Sequence, residues 1–408
     1  MKLKDIAEYV TDKISSDAID LDCYVTTDSL LQNKAGREIA VNLPPKVCSL
    51  TRFRKGDILI GNIRPYLKKI WMADVDGGCN ADVLVIRAKD GHYPSFIYAL
   101  LLQDTFYEYA MKGAKGSKMP RGDKEQIMRY KIPTLSSTEE SIGKFIVDIR
   151  DKIALLTQIN RNLEAMARQL YDYWFVQFDF PDEHGRPYKS SGGKMVWNDK
   201  LNRAIPENWY CGNLFEIATF TNGLACQKFR PKADEAYLPV IKIREMHEGI
   251  NSETESVSAN IPETLIVNNG DVLFSWSASL EVMLWAYGRG GLNQHIFKVT
   301  SANDTPKSFY FFQLLDYISI FKQMAEARKT TMGHITQDHL NQSVIAIPKS
   351  KDILHQFDKM VSPIFEEIVA GQEQVSELKN RRDELLPLLM NGQVSVMPSE
   401  LNCDLSRD

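Results

Sequence analysis

Residues 137–178 read STEESIGKFIVDIRDKIALLTQINRNLEAMARQLYDYWFVQF, and their spacing decides how the rest of the chain is read. Ile142, Ile149, Leu156, Leu163 and Leu170 fall on one heptad position; Ile146, Ile153, Asn160, Ala167 and Trp174 fall on a second. Groups that step by seven and sit four and three residues apart lay one apolar line along a coiled-coil helix. At ~1.5 Å per residue, about 40 residues make a helix roughly 60 Å long. Such a helix needs something to cover its seam.

The cover is found in the same chain, because the sequence is written twice at a spacing of about 211 to 216 residues. Leu3-x-x-Ile6-Ala7 recurs as Leu214-x-x-Ile217-Ala218, and Gly56-Asp57-Ile58-Leu59 as Gly270-Asp271-Val272-Leu273. Trp71 with Gly77-Gly78-Cys79-Asn80 recurs as Trp285 with Gly290-Gly291-Leu292-Asn293, and Ile132-Pro133 as Ile347-Pro348. Shifted by 215, the seam becomes Phe357, Ile364, Gly371, Leu378 and Leu385, with Val361, Ile368, Val375, Arg382 and Leu389 beside it. Two seams of equal length, joined by a globular segment that returns the chain, are expected to pair antiparallel, with the globular halves at opposite ends. Asn160 and Arg382 interrupt the seams; they either fix register or face a gap or a partner protein. The antiparallel register puts Asn160 near Gly371, where a small residue leaves room. Pro363 and Pro387 are expected to kink or end the second helix.

Each half reads as α+β. Short helices are expected at 1–10 and 212–221. Strands are expected at 57–62, 83–88, 240–243, 271–276 and 295–300, with amphipathic helices at 95–111 and 306–327. Two prolines and the Ser190-Ser191-Gly192-Gly193 run make 178–194 an irregular connection, and the tail after Met397 is polar.

Composition is that of a soluble protein, 44% hydrophobic and 25% charged over 408 residues. No apolar run approaches a membrane span and the start carries no apolar leader block, so a cytoplasmic protein without membrane association is expected. Six scattered cysteines, Cys23, Cys48, Cys79, Cys211, Cys226 and Cys403, suggest neither a disulfide framework nor a zinc site. The net charge of −4 argues against an indiscriminate nucleic-acid coat, whereas the local basic run from Lys112 to Lys131 fits specific contact with a polyanion.

The run Leu163-Glu-Ala-Met-Ala167-x-x-Leu170-Tyr171-x-x-Trp174-Phe175-Val176-x-Phe178-Asp179-Phe180, the linker Phe180-Pro-Asp-Glu-His-Gly185, Ile205-Pro-Glu-Asn-Trp209, the Gly-Asp-aliphatic-Leu pairs and the Ile-Pro before each helix resemble the specificity subunits of type I restriction-modification systems. The resemblance covers nearly the whole chain. It implies two similar target-recognition domains, 1–135 and 209–350, with spacer helices at 136–178 and 351–393, a linker at 179–208 and a flexible tail at 394–408. The spacers form an antiparallel coiled-coil pair with pseudo-two-fold symmetry. It also implies that each domain reads one half of a bipartite duplex-DNA target. The helix pair sets the spacing and docks methyltransferase subunits, with the Trp174-Phe175 end and the acidic second helix as docking ground. A motor-nuclease subunit completes the complex. S-adenosylmethionine, ATP and Mg would belong to those partners, and this chain would hold no cofactor and no catalytic or metal site.

DNA contact calls for cations at phosphates and flat amide or guanidinium groups at base edges. In the first half the candidates are Lys115, Lys118, Arg121 and Lys124 in a glycine-containing loop, and Arg52, Arg64, Lys68 and Lys69 in a second basic cluster. In the second half they are Arg328, Lys329, Thr331, His334 and Gln337, then Gln227, Lys228, Arg230, Lys242 and Arg244, and the polar loop with Ser275 and Ser277. Asn80 and Asn293 read as turn residues. Enzyme signatures are missing: Gly113-Ala-Lys-Gly116-Ser-Lys118 is too short for a phosphate-cradling loop, Glu377-Leu-Lys379 lies on the spacer, and the histidines lack metal-ligand spacing. The rival reading is a scaffold, two adhesive domains on a coiled coil with no DNA role; it would show no salt-dependent DNA affinity.

Overall fold

The computed structural model describes residues 1–132, 138–277, 279–327 and 337–396. The chain forms two compact units, Met1–Ile153 with Leu378–Asp408, and Ala154–Glu377. Both long helices, Glu139–Tyr171 and Asp352–Met390, contribute a segment to each unit.

The duplication seen in the sequence is repeated strand for strand in the first sheet of each unit. In the first unit Ala7–Tyr9, Val83–Ala88, Ile58–Gly61 and Ile70–Met72 lie side by side in one antiparallel sheet. In the second, Ala218–Asn222, Ile296–Ser301, Val272–Ser275 and Glu281–Leu284 repeat that order. The second sheets share a three-strand core: Gly77–Cys79 runs parallel to Tyr24–Val25 and antiparallel to Ser49–Phe53, as Gly290–Leu292 does to Tyr237–Ile241 and Ile266–Val267. The halves differ in the fourth strand. Lys13–Ser15 joins the antiparallel edge in the first, and Ser256–Ser258 joins the parallel edge in the second.

The repeated Gly-Asp pair has a structural job. Gly56 and Gly270 take φ of 93° and 84°, a conformation that costs a glycine little. Each aspartate then accepts a hydrogen bond from a backbone N–H three residues back, Arg54 at 2.7 Å and Asn268 at 2.8 Å. A cation on the neighbouring strand completes the unit: Arg87 grips buried Asp57 through two bonds of 2.7 and 2.6 Å, and Lys298 reaches Asp271 at 2.8 Å.

Local expectations shift by a few residues. The opening helices are single turns, Leu3–Ile6 and Leu214–Ile217, and pass at once into strands. The stretch at 95–111 is two helices, Pro94–Leu101 and Asp104–Lys112. Ile243 starts a helix rather than ending a strand. Linker residues Phe178 and Phe180 are buried, with Phe180 stacked on Tyr188 and Trp209 at 4.8 and 5.5 Å, and a hairpin follows, Met195–Asn198 with Arg203–Pro206.

The seams pair antiparallel within each unit. In the first, Ile142 and Ile146 share a core with Leu386 and Met390. In the second, Asn160 donates to the Ile368 carbonyl at 3.0 Å while Tyr171 meets Phe357 at 6.3 Å, so one number falls as the other rises. Ile149, Leu156, Leu163, Leu170, Leu378 and Leu385 are half-buried, because a two-helix seam leaves its flanks open. Phe357 and Ile364 are buried outright.

The two prolines of the second helix act differently, Pro363 within it and Pro387 at its end. The second helix runs unbroken through Pro363, and Pro387 falls in its last turn. A proline inside a helix costs about 3 kcal/mol, and the four buried side chains around it, Val361, Ile364, Phe365 and Ile368, each contribute roughly 1.5–3 kcal/mol, so packing wins. The end of the first helix does not present Trp174 and Phe175 to a partner. It closes in a π-helical turn, Asp172–Val176, whose Trp174 and Phe175 are 5% and 2% exposed among Phe309, Phe357 and Trp209.

Gly371 faces Asn160 as the antiparallel register requires, and a Cβ there would collide with the Asn160 amide. Alanine favours helix over glycine by about 1 kcal/mol, but overpacking costs about 1–3 kcal/mol. Gly371→Ala is therefore expected to destabilise alone and to stabilise when combined with Asn160→Ala, a sign reversal readable in urea denaturation of the four variants.

Candidate nucleic-acid interface

In the first unit two loops are zipped into one cationic surface. The turn after Ile58–Gly61 holds a 3-10 element, Pro65–Leu67, flanked by Arg64 and Lys68, both in left-handed conformation with φ 51°. The second loop follows the helix Asp104–Lys112; Lys115 and Arg121 exchange backbone bonds of 2.9 Å, making a small hairpin that turns at Gly116, φ 97°. Arg64 N–H donates to the Pro120 carbonyl at 2.7 Å, and Gly122 N–H to the Asn62 carbonyl at 3.1 Å. A Cβ on Gly122 would stand 2.9 Å from Asn62 Oδ1, so a small residue permits the close approach.

This surface presents Arg64, Lys115, Lys118, Arg121 and Lys124, all exposed. Lys115 meets Asp123 at 3.3 Å and Arg121 meets Asp82 at 3.0 Å, with the cations 85% and 58% exposed. Exposed pairs of this kind are worth ~1 kcal/mol or less, so a phosphate can take the place of the carboxylate. Asp123 also caps the helix Lys124–Met128 by accepting from Gln126 N–H at 3.0 Å. Its carboxyl is held below the ordinary range, first by that backbone bond and then by Lys115. Arg52 is exposed on its strand. Lys68 is half-buried, its ammonium 2.9 Å from Asp104.

Lys69 leaves the candidate set. It is 8% exposed, its ammonium donates to the Thr27 carbonyl at 2.5 Å, and burial lowers its pKa. Lys69 leads into the strand Ile70–Met72, whose Ile70 and Trp71 are buried too, whereas Lys68 sits in the left-handed turn before it and stays at the rim.

The second unit offers less cation. Gln227, Lys228 and Arg230 are exposed around the turn Cys226–Lys228, next to an exposed Phe229. Lys242 is engaged with Glu255 at 2.5 Å, and Arg244 with buried Glu245 at 2.8 Å, so both brace the region around the helix Ile243–Glu248. Ser275 is buried, donating to the Ser279 carbonyl and accepting from Glu281 N–H at 3.1 Å, and Ser277 is buried beside it. The Ser275 hydroxyl stabilises its own turn, and neither serine is on the surface. Arg328, Lys329, Thr331 and His334 lie outside the described residues, and of Gln337 only its place at the start of the helix Gln337–Asn341 is described. Asn80 and Asn293 sit in turns, their carbonyls accepting from Val83 and Ile296 at 3.2 and 3.1 Å.

Sequence reasoning missed Lys34. It is 9% exposed, left-handed, and joined to Asp104 at 2.8 Å beneath the Arg64 turn. Burial alone would raise the Asp104 pKa; bonds from Lys34 and Lys68 more than offset it and hold that carboxyl below its ordinary range. The Asn33-Lys34-Ala35-Gly36 stretch carries a turn signal, but nothing local says that its lysine points inward.

Among the described residues no group of histidine, cysteine, aspartate or glutamate could hold a metal ion, and no helix is long and apolar enough to cross a membrane.

Comparison with known proteins decides the family. The model for the type I restriction modification DNA specificity domain matches residues 1–165 and again 206–371. The chain belongs to this family. The type I restriction enzyme MjaIX specificity subunit of Methanocaldococcus jannaschii is 26% identical, across 86% of this chain and 80% of the relative. The HindI specificity subunit of Haemophilus influenzae is 23% identical, across 96% of this chain and 98% of the relative. The crystal structure of the type I S subunit from M. genitalium shares the fold, with a TM-score of 0.59, 13% identity and 95% of each chain covered. The two family matches coincide with the duplication read from the sequence and with the two repeated sheet pairs.

For this specificity subunit, replacing Lys115, Lys118 and Arg121 singly by alanine is expected to lower the slope of log affinity for duplex DNA against log salt by about 1 each. Lys69→Met is expected to lower the melting temperature without changing that slope. A fluorescence titration of the assembled complex at several salt concentrations reads the slopes.

Proposed function

We propose that this chain is the recognition subunit of a type I restriction-modification complex, reads a bipartite duplex-DNA target with one domain per half-site, and performs no catalysis itself. The observation that carries the reading is the duplication: two copies of the DNA specificity domain, each matched by the same sheet order and each followed by a heptad helix. Reading heads joined by paired helices suit a split site, because helical rise is rigid and the unread gap follows helix length. Half-sites one DNA turn apart are separated by roughly 34 Å, and a 33-residue helix spans about 50 Å.

The zipped loops of the first domain would supply phosphate contacts through lysines, and Arg64 and Arg121 bidentate donors for base edges. Gln227, Lys228 and Arg230 would serve in the second domain. Methyltransferase subunits would dock along the first spacer helix, where Leu155, Ile159 and Met166 are 61%, 42% and 44% exposed at helical spacing. A motor-nuclease subunit would join them. Those partners would carry S-adenosylmethionine, ATP and Mg. Work on cellular DNA would place the complex in the cytoplasm.

The test is a titration of the chain with its methyltransferase partner over a library of split sites. A preference for two defined half-sites at fixed spacing is expected. Absence of any bipartite preference, or methyl transfer by this chain alone, overturns the reading. Insertion of seven residues into a spacer helix is expected to lengthen the unread gap and leave both half-sites unchanged, as read from the methylated motif.

A further inference from the structure

Nine non-glycine residues among those described have left-handed backbone, and four of them, Asn33, Lys34, Arg64 and Lys68, fall in two loops of the first domain. Each such residue costs roughly 1 kcal/mol or more and persists only where its surroundings over-determine it. Here the loops are laced together: Asn33 N–H donates to the Leu67 carbonyl at 3.0 Å and Lys34 N–H to the Lys68 carbonyl at 2.9 Å. The lacing fixes the turn that presents Arg64.

Side chains extend the same tie. The Lys34 ammonium lies 2.8 Å from Asp104 and 3.4 Å from Asp383 on the second long helix. Lys68 reaches the same Asp104 oxygen at 2.9 Å, and Arg382 grips both oxygens of Asp383 at 2.9 and 3.1 Å. A file of alternating charges, Lys68, Asp104, Lys34, Asp383 and Arg382, therefore runs from the Arg64 turn to the helix. Lys34 is its hub, with a side chain 7% exposed against 51% for Asp104 and 45% for Asp383. Asp104 also opens the helix that leads into the Lys115–Arg121 hairpin, so the hub touches both parts of the cationic surface.

A buried ion pair by itself argues little for stability, since desolvation offsets most of the attraction. Its established use is to fix one geometry among several. We propose that Lys34 is a positioning residue for target reading: it locks the strained Arg64–Lys68 turn to the second long helix, and so sets where Arg64 meets DNA. The proposal rests on the DNA-reading function and adds a residue that touches no DNA to the determinants of one half-site.

The experiment compares the assembled complex carrying wild type, Lys34→Met, Lys34→Arg and Arg64→Ala, scored by methylation of oligonucleotides with single changes in either half-site. With Lys34→Met, discrimination at the half-site that Arg64→Ala weakens is expected to fall about tenfold, the loss that follows when one base-contacting group is misplaced. The other half-site is expected to keep its discrimination, and Lys34→Arg to restore most of the loss. Asp383→Asn, at a carboxylate 45% exposed, keeps the side-chain shape, is expected to relax the same half-site and serves if Lys34→Met does not fold. Equal loss at both half-sites, or loss of activity with the motif unchanged, makes Lys34 merely structural and overturns the proposal. A wild-type complex without bipartite preference overturns instead the DNA-reading function beneath it.

Discussion

The antiparallel seam is the constraint on which the remaining structure depends. A long amphipathic helix exposes its apolar line unless a second one covers it, and neither helix could stand alone in water. Covering one seam with the other needs a segment that returns the chain to an antiparallel partner, and here the second domain is that segment. The seam also explains its own exceptions. Asn160 is tolerated where Gly371 gives it room and Ile368 offers a carbonyl. Arg382 is tolerated because the adjacent Asp383 holds it, and Pro363 because the apolar residues around it are buried.

Each domain solves a second problem, how to hold a polar, positively charged edge on a small core. The Gly-Asp units spend their charges internally, with Asp57 and Asp271 bonded to their own turns and to a cation across the sheet. In the first domain a cluster of surface cations lies on loops whose backbones are zipped together, from Asn62–Gly122 to Lys115–Arg121. Rigidity of backbone with mobility of side chain suits contact with DNA: phosphates tolerate a flexible lysine, whereas a base edge needs a fixed guanidinium.

The two domains have diverged where reading is expected and not where folding is. Sheet order and the Gly-Asp turns repeat. The fourth strand of the second sheet moves to the opposite edge, and the turn after the central strand changes from a basic, strained loop to a buried serine turn. Such differences give the two specificity domains dissimilar surfaces on one architecture.

The sequence by itself determined the duplication, the seam and its antiparallel register, the α+β halves and the family, because periodicity and repetition are local patterns that survive without coordinates. It also located the cationic loop around Lys115–Lys124. Only the tertiary structure decided which polar residues face solvent. Lys68 and Lys69 are neighbours in the chain, yet one lies at the rim and the other is buried against Thr27. Ser275 and Ser277 look like exposed readers and are buried, the first bonded within its own turn. Trp174 and Phe175 look like a docking patch and are core. Lys34 carried a turn signal but none of its burial, since its partners Asp104 and Asp383 are remote in sequence and meet it only through the fold. Periodicity marks where apolar residues are buried, whereas burial of a lone polar side chain depends on non-local packing that no local pattern encodes.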